Sequence, residues 1–447
     1  MQLLHQTESL PPVRLSGCTR SELKAYFVNT WELYEWLFSS IRSDDSLYIN
    51  PDPRRHPLIF YLGHTAVFYL NKFKAAGIIS AGINEKYEHL FAVGVDPESA
   101  GDLETRDLWP AAEDVRAYRR QVRGRILEII DTVEIPDRPT WDSPIWSLFM
   151  GLEHDRIHFE TSSVLIRQYD VDLVERPAGW MYAPTTGVVP ELEMVDIPGG
   201  TVTMGRPQLS ELYGWDNEYG QMKVDVDPFA VSKNMVTNAE FREFVRDGGY
   251  QNERYWTTEG WAWRQKYAVV HPSFWISGAN GFRYRAMFDE IGLPESWPVE
   301  ITCHEATAYC AWKGSEWRLL WEREWKLLSN DAPLLHDDVI FDRNSNLNIR
   351  YGSPSPVGSI SAGATQRGVL DVHGNVWDWL ADDFYRLPGF RVHDYYQDFS
   401  DPYFDEQHGM LAGGAWASSG TSGSRYYRLW FRRGFLQHAG FRLAQSR

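Results

Sequence analysis

The sequence predicts an α+β protein in which a helical bundle precedes a mixed domain of short strands and turns. Roughly the first 175 residues consist of long segments with apolar residues at helical spacing. From Met194 onward the chain is instead rich in Gly, Trp, Pro and Asn, and its strand-like runs are only a few residues long. We place a linker near residues 176–190 and expect two domains, 1–178 and 179–447.

Four amphipathic segments account for most of the first domain. They span residues 18–41, 56–79, 111–133 and 143–169. Ser21 and Glu22 suggest the start of the first helix, and Pro57 suits the first turn of the second. Four such helices with long connections are typical of a four-helix bundle. In the second domain, residues 237–249 and 303–314 have the pattern of shorter helices.

Charge and cysteine content exclude several classes of function. The formal net charge is −17, which argues against binding to nucleic acid or to an anionic membrane surface. Cys18, Cys303 and Cys310 are too few to form a disulfide framework. The N-terminus lacks a signal-peptide pattern, and no apolar run is long enough to span a bilayer. We therefore expect a cytoplasmic protein.

Two histidines lie one helical turn apart in the fourth amphipathic segment. His154 and His158 are at positions i and i+4, so both side chains lie on one face and can bind a single metal ion. For such a pair alone, hydrogen-bonded core histidines are the commoner explanation. His64 favours a metal site, because it lies on the apolar side of the second segment, where a buried imidazole needs a partner. Three imidazoles suit zinc, copper or iron and leave coordination positions open for catalysis.

The sequence leaves alternatives for the third metal ligand and for the residue that orients a ligand imidazole. His56 competes with His64, but it lies at the start of the same segment and is expected near the end of the bundle. Three carboxylates flank the histidine pair and could orient a ligand imidazole: Glu153, Asp155 and Glu160.

Six motifs of the second domain occur in a recognisable order. They are FAVSKNMVTNAEFREFV (229–245), AYCAWKG (308–314), RLLWEREWKLL (318–328), GNVWDWL (374–380), GGAW (413–416) and AGFRL (439–443). In order and spacing they resemble the formylglycine-generating-enzyme, or sulfatase-modifying-factor, domain, which implies a C-type-lectin-like fold. Leu320 and Trp321 depart from the Pro and Thr usual in that family. The C-terminal segment also lacks the family's cysteine pair, so its thiol chemistry is not expected here.

A histidine-bearing bundle before such a domain resembles the non-haem iron sulfoxide synthases. Four stretches carry the resemblance: RRHPLIFYLGHTAVFYLNK, WDSPIWSLFMGLEHDRIHFETSSVLIRQ, GFRVHDYYQDFSDPYFD and FRRGFLQHAGFR. It implies a DinB-like first domain in which His64, His154 and His158 bind Fe(II). The ovothiol-pathway branch is the more similar in these stretches. That branch uses O₂ to join L-cysteine to C5 of L-histidine as a 5-histidylcysteine sulfoxide.

The resemblance also implies an active-site tyrosine in the stretch VHDYYQDF. We align it to Tyr396, with Tyr395 as the alternative if the register slips by one residue. A phenol near the iron could donate a proton, or a proton and an electron. Packing in a Trp-rich core is the competing explanation for Tyr396.

Two amino-acid substrates would bring two carboxylates, which arginine binds in a bidentate manner. The candidates are Arg432 and Arg433 in the C-terminal motif, and Arg106 after the second predicted helix. Each could instead form a salt bridge. Trp430 and Phe431 could wall a substrate pocket, although aromatic residues in so Trp-rich a domain usually form core.

Two other functions stay open from the sequence. A synthase of the same family could act on hercynine, the trimethylated histidine of the ergothioneine pathway, or could use a selenium donor. A non-catalytic binding protein with structural histidines is the alternative from a different class.

Overall fold

The computed structural model describes residues 8–92, 109–279, 281–333 and 344–447, which form two compact units. The first unit contains the chain up to Gly179 together with two short segments, Glu211–Tyr213 and His393–Tyr396. The second unit contains the remainder, from Trp180 to Arg447. The first is helical and the second mixed, so the predicted α+β class is confirmed. Among the described helices, none combines the length and apolar composition needed to cross a bilayer.

Helices build the first unit. They are α1 (Arg20–Phe38), α2 (Leu58–Ala75), α3 (Glu85–Leu90), α4 (Ala112–Thr132) and α5 (Trp146–Arg167). The four long helices lie within the four predicted segments. Helix α1 begins one residue earlier than Ser21 suggested, because Thr19 and Glu22 form a capping box. The Thr19 amide donates to Glu22 at 2.8 Å, and the Glu22 amide donates to the Thr19 hydroxyl at 3.2 Å.

Helices α2 and α5 form the centre of the bundle. Residues 58–70 of α2 are all buried, and α5 is buried along nearly its whole length. Helix α2 packs against α4 and α5, and α1 also packs against α5. Polar side chains on α2 and α5 are therefore held in an apolar interior, where each needs a partner.

Four α-helices and twelve short strands occur among the described residues of the second unit. The helices are α6 (Asn238–Arg246), α7 (Thr258–Lys266), α8 (Cys303–Lys313) and α9 (Glu322–Asp331). The strands are β1 (Met194–Ile197), β2 (Gly200–Met204), β3 (Met222–Val226), β4 (Phe229–Ser232), β5 (Trp275–Gly278), β6 (Gly281–Arg285), β7 (Glu290–Gly292), β8 (Trp377–Asp383), β9 (His408–Ala412), β10 (Leu429–Arg432), β11 (Ala439–Gly440) and β12 (Ala444–Ser446).

These strands form four small sheets with the orders β1-β4-β12, β10-β9-β8-β11, β2-β3 and β5-β6-β7. All pairings are antiparallel except β8 with β11. The main core lies between the sheets and α9, and includes Leu320, Trp325, Leu380 and Met410. The predicted short strands are confirmed.

Candidate metal centre

Three imidazoles meet between α2 and α5. His64 comes from α2, and His154 and His158 come from successive turns of α5. Their ring centroids lie 4.3–5.0 Å apart. One nitrogen from each ring lies within 4.8 Å of the others, and all three side chains are buried. The arrangement of these three rings could hold a metal ion.

The hydrogen bonds direct nitrogen lone pairs towards a common point. His64 Nδ1 donates to the Phe91 carbonyl at 2.6 Å, which leaves the lone pair on Nε2. The Nε2 atoms of His154 and His158 are 3.1 Å apart. Two nitrogens about 2.1 Å from a shared ion at near-octahedral angles are about 3.0–3.2 Å apart. His64 Nε2 is buried with no hydrogen-bond partner among the described residues. The donor set therefore fits a transition metal.

Burial keeps the three imidazoles neutral. The pKa of His64 is lowered to about 4, mainly by burial and also by His56 and Lys72, against the opposing effect of the hydrogen bond to Phe91. Burial also lowers the pKa of His154 and His158 well below the ordinary value, with contributions from the neighbouring histidines. The neutral ring is the form that coordinates a metal, so the site needs no proton release at neutral pH.

Aromatic rings enclose the cluster. Phe68 stacks on His154 with ring centroids 3.5 Å apart and an interplanar angle of 6°. Phe60 stacks on His64 at 4.9 Å. The competing ligand His56 stacks on the other side of Phe60, at 4.3 Å, and does not belong to the three-histidine group. Phe60 and Phe68 therefore pack directly against the imidazoles of the cluster.

Two of the three flanking carboxylates have tyrosine partners. Glu153 accepts a hydrogen bond from the Tyr26 hydroxyl at 2.8 Å, and Asp155 accepts one from Tyr69 at 3.2 Å. The oxygen that orients His64 is instead the main-chain carbonyl of Phe91. Sequence inspection missed this contact, because no side-chain motif marks a carbonyl.

Tyr396 lies beside the cluster. It belongs to the short segment His393–Tyr396 of the first unit. Its ring centroid is 6.4 Å from that of His154 and 5.1 Å from that of Phe68. Tyr395 packs instead against His393, at 4.9 Å. Of the two candidate tyrosines, Tyr396 is thus the one that approaches a ligand imidazole.

The predicted aromatic pocket residues lie in the second unit. Trp430 is in β10, stacks on Tyr403 at 3.8 Å and packs against the main core. Phe431 follows it, with ring centroids 6.2 Å apart. Both positions are partly exposed. Their role in binding substrate stays a prediction.

The predicted arginines have protein partners. Arg432 donates to the Gln407 side chain at 3.1 Å, and Arg433 forms an ion pair with Asp383. Arg106 lies outside the described residues. A substrate-binding role for these arginines also stays a prediction.

Two domain families match the chain. Residues 183–447 match the sulfatase-modifying factor enzyme 1-like domain, and residues 26–162 match the DinB superfamily. These matches agree with the helical first unit and the mixed second unit.

Whole proteins with known roles are also similar. The chain is 33% identical over 322 residues to hercynine oxygenase of Mycolicibacterium smegmatis, which covers 68% of this chain and 71% of that protein. It is 29% identical over 418 residues to hercynine oxygenase of Mycolicibacterium thermoresistibile, covering 88% of each. Identity to ergothioneine biosynthesis protein 1 of Schizosaccharomyces pombe is 22% over 441 residues, covering 90% of this chain and about half, 53%, of that protein. The two domain matches and the similarity to the hercynine oxygenases point to the same family. The chain therefore belongs to the sulfoxide synthase family of enzymes.

Proposed function

We propose that this protein uses Fe(II) and O₂ to join the sulfur of L-cysteine to C5 of L-histidine. The observation that carries the proposal is the buried three-imidazole cluster with a tyrosine beside it. The products are water and a sulfoxide whose sulfur is bonded to C5 of histidine. One oxygen atom goes to sulfur and the other to water, which takes the thiol hydrogen and the C5 hydrogen. Forming the C–S bond and oxidising the sulfur each supply two electrons, so O₂ needs no external reductant.

His64, His154 and His158 would hold the metal through their converging nitrogens. Three neutral ligands would leave the charge of bound Fe(II) uncompensated, and the ion would supply thiolate binding and O₂ activation. Phe60 and Phe68 pack against the rings of His64 and His154. The Phe91 carbonyl holds His64 in the tautomer that presents Nε2.

Tyr396 would act as the proton donor. A phenol O–H is a hydrogen-bond donor that can supply a proton. The centroid of the Tyr396 ring lies 6.4 Å from that of His154, which supports this role. For the substrate carboxylates we propose Arg432, Arg433 and Arg106. We also propose substrate-binding roles for Trp430, Phe431 and Tyr395, each taken individually.

Hercynine is the alternative acceptor. It is favoured by two relatives that are named hercynine oxygenase. A trimethylammonium group requires aromatic or anionic surroundings, whereas a free amine requires hydrogen-bond acceptors. A selenium donor in place of cysteine is a further variant of the same chemistry.

The deciding experiment is anaerobic loading with Fe(II), followed by oxygen uptake with cysteine plus either histidine or hercynine. Products are identified by mass spectrometry and NMR. We expect a C5-linked sulfoxide with histidine, lost in His154→Ala and retained in His89→Ala, which alters an exposed histidine of α3. Product with hercynine alone would assign the protein to the ergothioneine branch. Absence of bound iron would refute the metal site.

A further inference from the structure

Lys72 continues the face of α2 that carries the ligand His64. His64, Phe68 and Lys72 are four residues apart in turn, so they lie on one side of the helix. The Lys72 ammonium lies 3.7 Å from the centroid of the Tyr396 ring and 4.9 Å from that of Phe68. Both distances are within the about 6 Å range of a cation–π contact.

An aromatic column connects this cation to a metal ligand. Phe68 stacks on His154 and meets the edge of Tyr396 at an interplanar angle of 66°. Tyr396 is therefore held between Phe68 on one side and the ammonium of Lys72 on its face. The column places the phenol in a defined position relative to His154.

The main chain of the tyrosine segment is fixed separately. The His393 ring packs against Trp141 at 4.4 Å, and its Nε2 donates to the Trp141 carbonyl at 3.2 Å. The Tyr395 amide donates to His393 Nδ1 at 3.1 Å, and the Tyr396 amide donates to the His393 carbonyl at 3.0 Å. These contacts fix the backbone, while rotation of the Tyr396 side chain is limited by what its ring contacts.

We propose that Lys72 is a positioning residue that holds the phenol of Tyr396 in a fixed position relative to the three ligand histidines. The inference rests on the proposed function, in which Tyr396 donates a proton. Sulfoxide formation sends one oxygen atom of O₂ to water, so protons must reach that atom. The competing reaction converts cysteine and O₂ to cysteine sulfinic acid, with both oxygen atoms on sulfur. Correct placement of the phenol therefore favours the sulfoxide.

The test compares product ratios in iron-loaded variants. We expect Lys72→Met to lower the ratio of sulfoxide to sulfinic acid several-fold, with KM for cysteine and histidine near the wild-type values. Lys72→Arg keeps a cation and should restore the ratio. Lys24→Met is the matched control, because it removes a lysine charge from an exposed ion pair on α1. An unchanged ratio, or a raised KM with an unchanged ratio, would overturn the inference.

A second readout needs neither metal nor turnover. Metal-free protein is labelled with 3-fluorotyrosine, and the Tyr396 fluorine resonance is assigned through Tyr396→Phe. We expect the resonance to shift in Lys72→Met and to stay in place in Lys24→Met. An unchanged resonance overturns the inference. If wild-type enzyme makes neither product, the proposed function fails, and the resonance alone decides whether Lys72 positions Tyr396. Lys72→Gln replaces Lys72→Met if that variant does not fold.

Discussion

Two buried histidines of the second unit and the three-histidine cluster of the first differ in what their ring nitrogens face. In the second unit, His438 faces the Glu300 carboxylate at 3.1 Å, and both side chains are fully buried. His408 likewise faces Asp405 at 2.8 Å. In the first unit, nitrogens of three histidines converge on one another instead. A nitrogen paired with an oxygen is satisfied within the fold, whereas opposed nitrogens require a shared ion or proton. The converging set is the candidate metal site.

Charged groups of the second unit follow the same rule. Arg206 pairs with Glu218 at 2.7 Å, where both are fully buried. Arg442 pairs with Asp378 at 2.9 Å and also donates to the Asp371 carbonyl. Such pairs satisfy charge inside the core and serve the structure rather than a ligand.

The largest expected effect falls on metal binding. His154→Ala should lower iron affinity by more than about 100-fold, because loss of a ligand exceeds the typical cost of losing its hydrogen-bond support. Iron content after dialysis measures it. His438→Ala should destabilise the second unit and leave the iron content unchanged. Iron loss of equal size in both variants would contradict the division between the two histidine sets.

The next effect concerns a buried charge of the second unit. Arg442→Met leaves Asp378 buried without its cation, and we expect a loss of about 3–5 kcal/mol in the free energy of unfolding. Urea denaturation measures it. The control is Arg447→Met, which breaks a surface pair with Asp196 and should cost no more than about 1 kcal/mol. Equal losses in both variants would show that burial of the pair does not matter.

Asp216 is an exception that gives a pH dependence. Its Oδ1 accepts from the Ser400 hydroxyl at 2.5 Å, but its Oδ2 is buried with no partner among the described residues. Burial raises the pKa of Asp216 to about 7. The folded state then binds a proton that the unfolded state releases above about pH 4, so stability falls as pH rises from about 4 to about 7.

Asp216→Asn removes that titration. We expect the wild-type free energy of unfolding to fall by about 2–4 kcal/mol across this pH range from Asp216 alone. The variant should therefore show a correspondingly flatter profile, with greater relative stability near pH 7. Urea denaturation at several pH values tests this. Parallel profiles for the two proteins would refute the assignment.

The smallest effect tests the support of His64. A Cβ at Gly63 would lie 2.6 Å from the Phe91 ring, and the carbonyl of Phe91 orients His64. Gly63→Ala should displace Phe91 and lower iron affinity about 10-fold. Gly124→Ala in α4 meets no atom within 4 Å and serves as the control. It should raise stability by up to about 1 kcal/mol without affecting iron.

The grouping of the three histidines could be predicted largely from local periodicity. His154 and His158 share a face through their spacing alone, and the apolar surroundings of His64 indicated its burial. The start of α1 is also encoded locally, since Thr19 and Glu22 have the spacing of a capping box, one residue before the start that Ser21 suggests. By contrast, Tyr396 is far from the bundle in sequence, and only family resemblance identified it.

Contacts that depend on tertiary structure could not be predicted from the sequence. The Phe91 carbonyl reaches His64 across a helix–helix connection, and main-chain atoms carry no sequence signal. The position of Lys72 against Tyr396 joins residues more than three hundred positions apart. Strand pairing in the second unit could not be predicted either, because the sequence of a short strand does little to specify its partner.

The depth of the three histidines has a kinetic consequence. His64, His154 and His158 are only 6%, 2% and 4% exposed, so water and chelators have little direct access to the ligand atoms. The three imidazoles come from α2 and α5, so local separation of these helices would release a bound ion. Its release rate under excess chelator would then report the opening frequency of the bundle, in parallel with amide hydrogen exchange along those two helices.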